Sequence, residues 1–193
     1  MKSKFAAFLV VAVATIAGLS QVHAADTYKI DPVHSSILFK VKHLNVGNFY
    51  GRFNDVDGTI VFDEANPAGD SVNVEIKTES IDTHNEGREK HLKGADFFDA
   101  KQFPTMSFKS KSVEKGKDAD SFDISGDFTL HGVTKPMKVT FVKTGAGADP
   151  KGGQHIGFEG AFAIKRSDYS MNFMQGPLGD DISIIISIEA GKQ

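Results

Sequence analysis

Ser80-Ile81-Asp82-Thr83-His84-Asn85-Glu86-Gly87-Arg88-Glu89-Lys90-His91-Leu92-Lys93-Gly94-Ala95-Asp96-Phe97-Phe98-Asp99, with Phe103-Pro104-Thr105 close behind, is the one sizeable stretch of the chain that does not read as strand. Asp82 or Thr83 fits a helix cap, and Glu86 stands three residues after Thr83, as a capping box requires. Glu86, Arg88, Glu89, Lys90, His91 and Lys93 suit a solvated helical turn, and Gly94 suits its end. Leu92, Phe97 and Phe98 give the segment an apolar underside. A single short helical insertion at about 82–99, set between runs of strands, predicts a plug or lid on a sheet that closes on itself.

Working outward, apolar residues alternate with polar ones at period two, the signature of half-buried strands. Upstream, Val72, Val74 and Ile76 form one row, Phe53–Phe62 reads as one strand with Gly58, Ile60 and Phe62 on a face, and Asn45–Asn48 reads as a turn. Ile37, Phe39 and Val41 make the row before that, and Tyr28-x-Ile30 ends at Asp31-Pro32. Downstream come Met106 and Phe108, then Phe122 to Leu130, a tight connection at His131–Pro136, and Met137, Val139 and Phe141. A Gly-rich loop at Gly145–Gly153 leads to the row Ile156, Phe158, Gly160, Phe162 and Ile164. After an irregular Lys165–Asp180, Ile182, Ile184, Ile186 and Ile188 close the chain. Counted from Ile37 this makes eight strands, the pattern of an all-β, up-and-down antiparallel barrel. Alternation alone leaves a two-layer sandwich open as well.

The first residues read as a processing signal: Lys2 and Lys4, the apolar run Phe5–Leu19, then Val22-His23-Ala24 as a cleavage site. Residues 1–24 are therefore expected to be removed, leaving one domain over 25–193. The chain has no cysteine, which excludes disulfides, thiolate metal sites and a cysteine nucleophile. Its formal net charge is −3, more negative without Lys2 and Lys4, and this argues against nucleic acid as a partner. Sixteen Phe with no Trp suggest an apolar interior. An eight-stranded barrel either fills with side chains or holds one small ligand. Gly58, Gly126 and Gly160 fall on the apolar face by parity; each alone reads equally as a bend or bulge at a barrel corner, and the three together among so many Phe suggest a narrow, greasy channel with no buried charge along its shaft, fit for an extended hydrocarbon chain.

Ser80-Ile81-Asp82-Thr83, Arg88-x-x-His91-Leu92-Lys93, Asp96-Phe97-Phe98-Asp99 and Phe103-Pro104-Thr105, in that order, resemble the YceI family of bacterial lipocalin-like proteins. Asp31-x-x-His34-Ser35, Gly51-Arg52-Phe53, the run Gly126–Pro136, Gly157-Phe158 and Lys165-Arg166-Ser167-Asp168-Tyr169 agree, so the resemblance spans roughly Thr27–Ala190. Family patterns often carry Gly where Ser170 stands. The resemblance implies an elongated lipocalin-like barrel in the periplasm, holding a polyprenyl phosphate, an isoprenoid quinone or another long-chain amphiphile. It implies no catalysis and no cofactor beyond that lipid, with transient contact to a membrane or membrane protein. The candidate channel lining is then Phe39, Val41, Phe62, Val74, Ile76, Phe98, Phe108, Phe128, Phe141, Phe158, Phe162, Ile184 and Ile186, with Gly58 and Gly126. Arg88 and His91, three apart on the insertion, are the candidates for an anionic headgroup at the mouth, and the competing role for Arg88 is pairing with Glu86, Asp96 or Asp99.

Two other readings are carried. His34, between Asp31 and Ser35, suggests a secreted hydrolase, although no Gly-x-Ser-x-Gly elbow is present. A filled barrel acting through protein partners is the third. No metal site is expected, since His84 and His91 lack the i, i+4 spacing of zinc hydrolases.

Overall fold

The computed structural model describes residues 24–193, so the expected leader lies almost wholly outside the described residues. Alternating segments form β1 (Asp26–Ile30), β2 (Ser36–His43), β3 (Gly47–Phe53), β4 (Val56–Phe62), β5 (Ser71–Lys77) and β6 (Ile81–Asp82). After helix α1 (Glu86–Leu92) come β7 (Thr105–Lys115), β8 (Ser121–Leu130), β9 (Val133–Ala148), β10 (Gln154–Lys165) and β11 (Leu178–Lys192). Every pairing between these strands is antiparallel. Around the barrel the order is β1-β4-β5-β7-β8-β9-β10-β11, and β11 returns to β1, so eight strands close without an edge.

The remaining three strands continue broken ones. β11 pairs with β1 through Ala190 to Lys192 and with β2 through Leu178 to Ser187, so β1 and β2 are two halves of one stave. β3 joins β2 to β6 just as β4 joins β1 to β5. The first break follows from Asp31-Pro32. Proline has no N–H for the ladder, Asp31 Oδ1 accepts the Val33 amide (2.8 Å), and Ser35 Oγ accepts the Glu189 amide (3.1 Å).

Several local expectations are corrected. Phe53–Phe62 is not one strand, because the stave breaks at Asn54-Asp55 and its first half starts at Gly47, inside the expected turn. The connection after β8 is only His131-Gly132, both at positive φ (50° and 73°), and Pro136 lies within β9 opposite Asp127. Two central residues at positive φ are what a tight hairpin requires. β9 extends through much of the Gly-rich segment to Ala148. The helix is capped by Asn85, whose side chain accepts from the Arg88 amide, and Glu89 rather than Glu86 reaches back to the amides of Thr83 (2.7 Å) and Asn85 (3.1 Å). Ser170 adopts φ 62°, in the left-handed region that favours glycine.

The interior glycines do not open the channel in the way parity suggests. A Cβ on Gly126 would strike the Lys109 carbonyl oxygen, the Phe108 ring (2.7 Å) and Ser110 Cα (2.9 Å), beside the bulge in β7. One on Gly58 would strike the Asn73 carbonyl oxygen and Ile30 Cδ1 (2.9 Å). Gly160 lies under the ring of Phe141, its cross-strand partner. These residues let a neighbouring backbone or ring lie against the wall. Gly126→Ala is accordingly expected to destabilise the protein by about 1–3 kcal/mol, since backbone cannot step aside as a side chain can. A melting curve checks this, and an unchanged midpoint would show that β7 relaxes freely.

Candidate ligand channel

Two cavities lie in the barrel, one at each end. The helix-end cavity, of about 120 Å³, is bounded by α1 and the segment after β10. Phe39, Val41, Phe98 and Ile184 line it, with Leu92, Phe97 and Met171. The far cavity, of about 100 Å³, is lined by Phe62, Val74, Phe108, Phe141 and Phe158 among others. Ile37, Ile76, Phe128, Phe162 and Ile186 line both and form the waist between them. Each apolar candidate from the sequence thus faces one cavity or both; Gly58 and Gly126 face neither. In the wall of the far cavity, Phe62, Phe122 and Phe158 pack edge to face with centroids 5.2 to 6.2 Å apart, and Lys143 and Lys115 lie over two of these rings.

Arg88 and His91 stand outside both linings and are engaged elsewhere. The Arg88 guanidinium donates to the Thr83 carbonyl (2.6 Å) and lies 4.2 Å over the Phe49 ring, rather than pairing with Glu86, Asp96 or Asp99. His91 Nε2 is 2.8 Å from Asp96, and its ring packs edge to face against Phe97 and Phe173. Both residues brace the surroundings of the helix-end cavity: Phe97, against which His91 packs, lines it, and Phe49, under Arg88, packs on the lining residue Phe39 with centroids 6.5 Å apart.

The expectation of an uncharged shaft is overturned at two points that the alternation did not single out. Arg166 lines the helix-end cavity while only 3 % exposed. Its Nε donates to Gly179 O (3.0 Å), Nη1 to Met171 O and Phe173 O (both 2.7 Å), and Nη2 to Leu178 O (3.2 Å). One guanidinium thereby gathers the irregular segment that closes this end. Asp70 lines the far cavity and is 8 % exposed. A signal for Asp70 exists in the sequence, since it shares parity with Val72, Val74 and Ile76. For Arg166 the alternation offers none, because its partners are carbonyls of residues without regular spacing.

Burial raises the Asp70 pKa to about 6; the Asp63 carboxylate adds to the rise, and the Asp63 amide, donating to Oδ1 at 2.7 Å, works against it. A carboxyl whose folded pKa exceeds its unfolded value contributes stability below about pH 4 that is lost as pH rises through 6. Asp70→Asn keeps an acceptor for the Asp63 amide and removes the buried charge. It is expected to raise stability by on the order of 2 kcal/mol at pH 7.5 in lipid-free protein, and to make little difference at pH 4. Paired melts at the two pH values check this; a gain at pH 4 as large as at pH 7.5 would point to packing, not charge.

The hydrolase elements are dispersed. His34 Nδ1 is 2.8 Å from Asp31 Oδ2, on an exposed ring whose pKa this pairing raises. Ser35 is buried and its hydroxyl is engaged with the Glu189 backbone, not with His34. Asp31, His34 and Glu189 bring donor atoms within 4.8 Å of one another beside an open cleft that also holds Asp149 and His155, outside the two barrel cavities.

Protein YceI of Escherichia coli O157:H7 is 45% identical over 172 residues, covering 88% of each chain. The YceI protein of Campylobacter jejuni is 34% identical and superposes with a TM-score of 0.69 over 79% of this chain and 90% of its own. A polyisoprenoid binding domain from Saccharophagus degradans shares the fold, with a TM-score of 0.68 over 89% of this chain and all of that one, at 16% identity. A YceI-like domain model matches residues 28–190, nearly the whole described barrel, and with these relatives it establishes that the chain belongs to the YceI family.

Proposed function

We propose that this protein binds a long-chain isoprenoid amphiphile in its barrel and carries or shields it in the periplasm, without catalysing a reaction on it. The observation that carries this reading is the pair of apolar cavities meeting at one waist. The Saccharophagus degradans domain of the same fold, described as polyisoprenoid binding, supports it. The N-terminal basic and apolar run supports export.

An apolar cavity of about 150 Å³ accommodates a benzene. By that measure each cavity here takes on the order of one five-carbon unit. A longer tail requires the rings at the waist to turn, and the Phe side chains can do so about two dihedrals without moving the backbone. Each methylene removed from water contributes about 0.8 kcal/mol, so a polyprenyl tail supplies ample driving force.

Organic extraction of gently purified protein, followed by mass spectrometry, should yield close to one isoprenoid lipid per chain. A folded but empty protein that takes up no isoprenoid quinone, prenol or prenyl phosphate would sink the reading.

A further inference from the structure

Among the described residues, Asp70 is the one charged residue in the lining of the far cavity. Its Oδ1 accepts the Asp63 amide, whereas Oδ2 is buried and has no hydrogen-bond partner among the described residues. Lys115, whose charge acts on Asp70, holds its ammonium over the Phe122 ring instead. A buried polar atom without a partner is uncommon in native proteins and calls for a donor that the chain itself does not supply.

We propose that Asp70 is the polar anchor of the channel, receiving the hydroxyl of an uncharged isoprenoid alcohol or quinol seated head-first in the far cavity, with its tail running past the waist towards α1. This rests on the channel reading above and names the ligand class for it. A hydroxyl both donates and accepts, so it matches a carboxyl in either protonation state. Burial places the Asp70 pKa near 6, so both states are accessible close to neutral pH. A phosphate headgroup fits poorly, because its charge would meet that of Asp70 and, among the described residues, the lining offers only Ser107 as a side-chain donor. Arg88 and His91 then need no headgroup contact, in keeping with their engagement at the rim.

The test compares a long prenol, its methyl ether and its phosphate on lipid-stripped protein, in wild type, Asp70→Leu and Asp70→Asn. Wild type should bind the prenol at least about tenfold more tightly than either analogue, a difference of about 1.4 kcal/mol. Asp70→Leu should erase the preference for prenol over ether while still binding both, and Asp70→Asn should retain part of it. Melting curves establish that the variants fold. Equal binding of prenol and ether by wild type would mean that water alone satisfies Oδ2, and would overturn the anchor while leaving the channel intact. Tightest binding of the phosphate, or an undiminished prenol preference in Asp70→Leu, would also overturn it. Failure of all three ligands to bind wild type would remove the channel reading itself.

Discussion

Arg166→Met is expected to cost about 3–5 kcal/mol of folding stability, the largest effect foreseen for a single substitution in this protein. The guanidinium reaches four main-chain carbonyls spread over Met171 to Gly179, and methionine offers no donor to any of them. Each buried acceptor left alone costs about 1–3 kcal/mol, and the total stays below a simple sum because some of these carbonyls lie near enough to the surface to find water. Arg166→Lys should recover little, since an ammonium is a point donor and cannot reproduce the planar fork that spans these partners. The segment Met171–Leu178 should also become open to proteolysis, because its ordering depends on this hub. Chemical denaturation with limited proteolysis provides the check. A loss below about 1 kcal/mol, with the segment still protected, would show that local turns hold it without Arg166.

Ile186→Trp is expected to weaken binding of a long isoprenoid by about 100-fold, equivalent to about 2.7 kcal/mol. Ile186 lines both cavities and sits in the sheet between Ile37 and Gly160, its cross-strand partners. An indole at this point occupies the passage through which a tail must thread. Overpacking should cost about 1–3 kcal/mol in stability, which a domain of this size tolerates. A prenol of a single five-carbon unit, short enough to remain on one side of the waist, should lose far less. Unaltered affinity for the long chain would mean that the tail leaves the barrel without passing Ile186. Equal losses for short and long ligands would instead indicate a general distortion of the wall.

How much of this was legible differs from element to element. The rows Ile37-Phe39-Val41 and Ile182-Ile184-Ile186 face the interior as their alternation requires, because in a strand parity alone decides the face. Asp70 follows the same rule, although its position at the end of a turn hid it. The break at Asn54-Asp55 was not legible, because alternation continues across it. Nor was the brevity of α1, since Thr83, Asn85, Glu86 and Glu89 offer two overlapping sets of capping residues.

The sequence by itself determined the alternating strands, the apolar interior and the family, because period-two patterning and an ordered set of local motifs are properties of neighbours along the chain; closure into a barrel rather than a sandwich was implied by the family resemblance and decided by the pairing of β11 with β1. Tertiary structure alone decided what Gly58, Gly126 and Gly160 do, where Arg88 and His91 spend their hydrogen bonds, and why Arg166 is buried. Each of those depends on what lies across a strand pair or around a loop. That separation is set by sheet twist, by the bulge in β7 and by irregular chain direction, none of which has a fixed spacing in sequence.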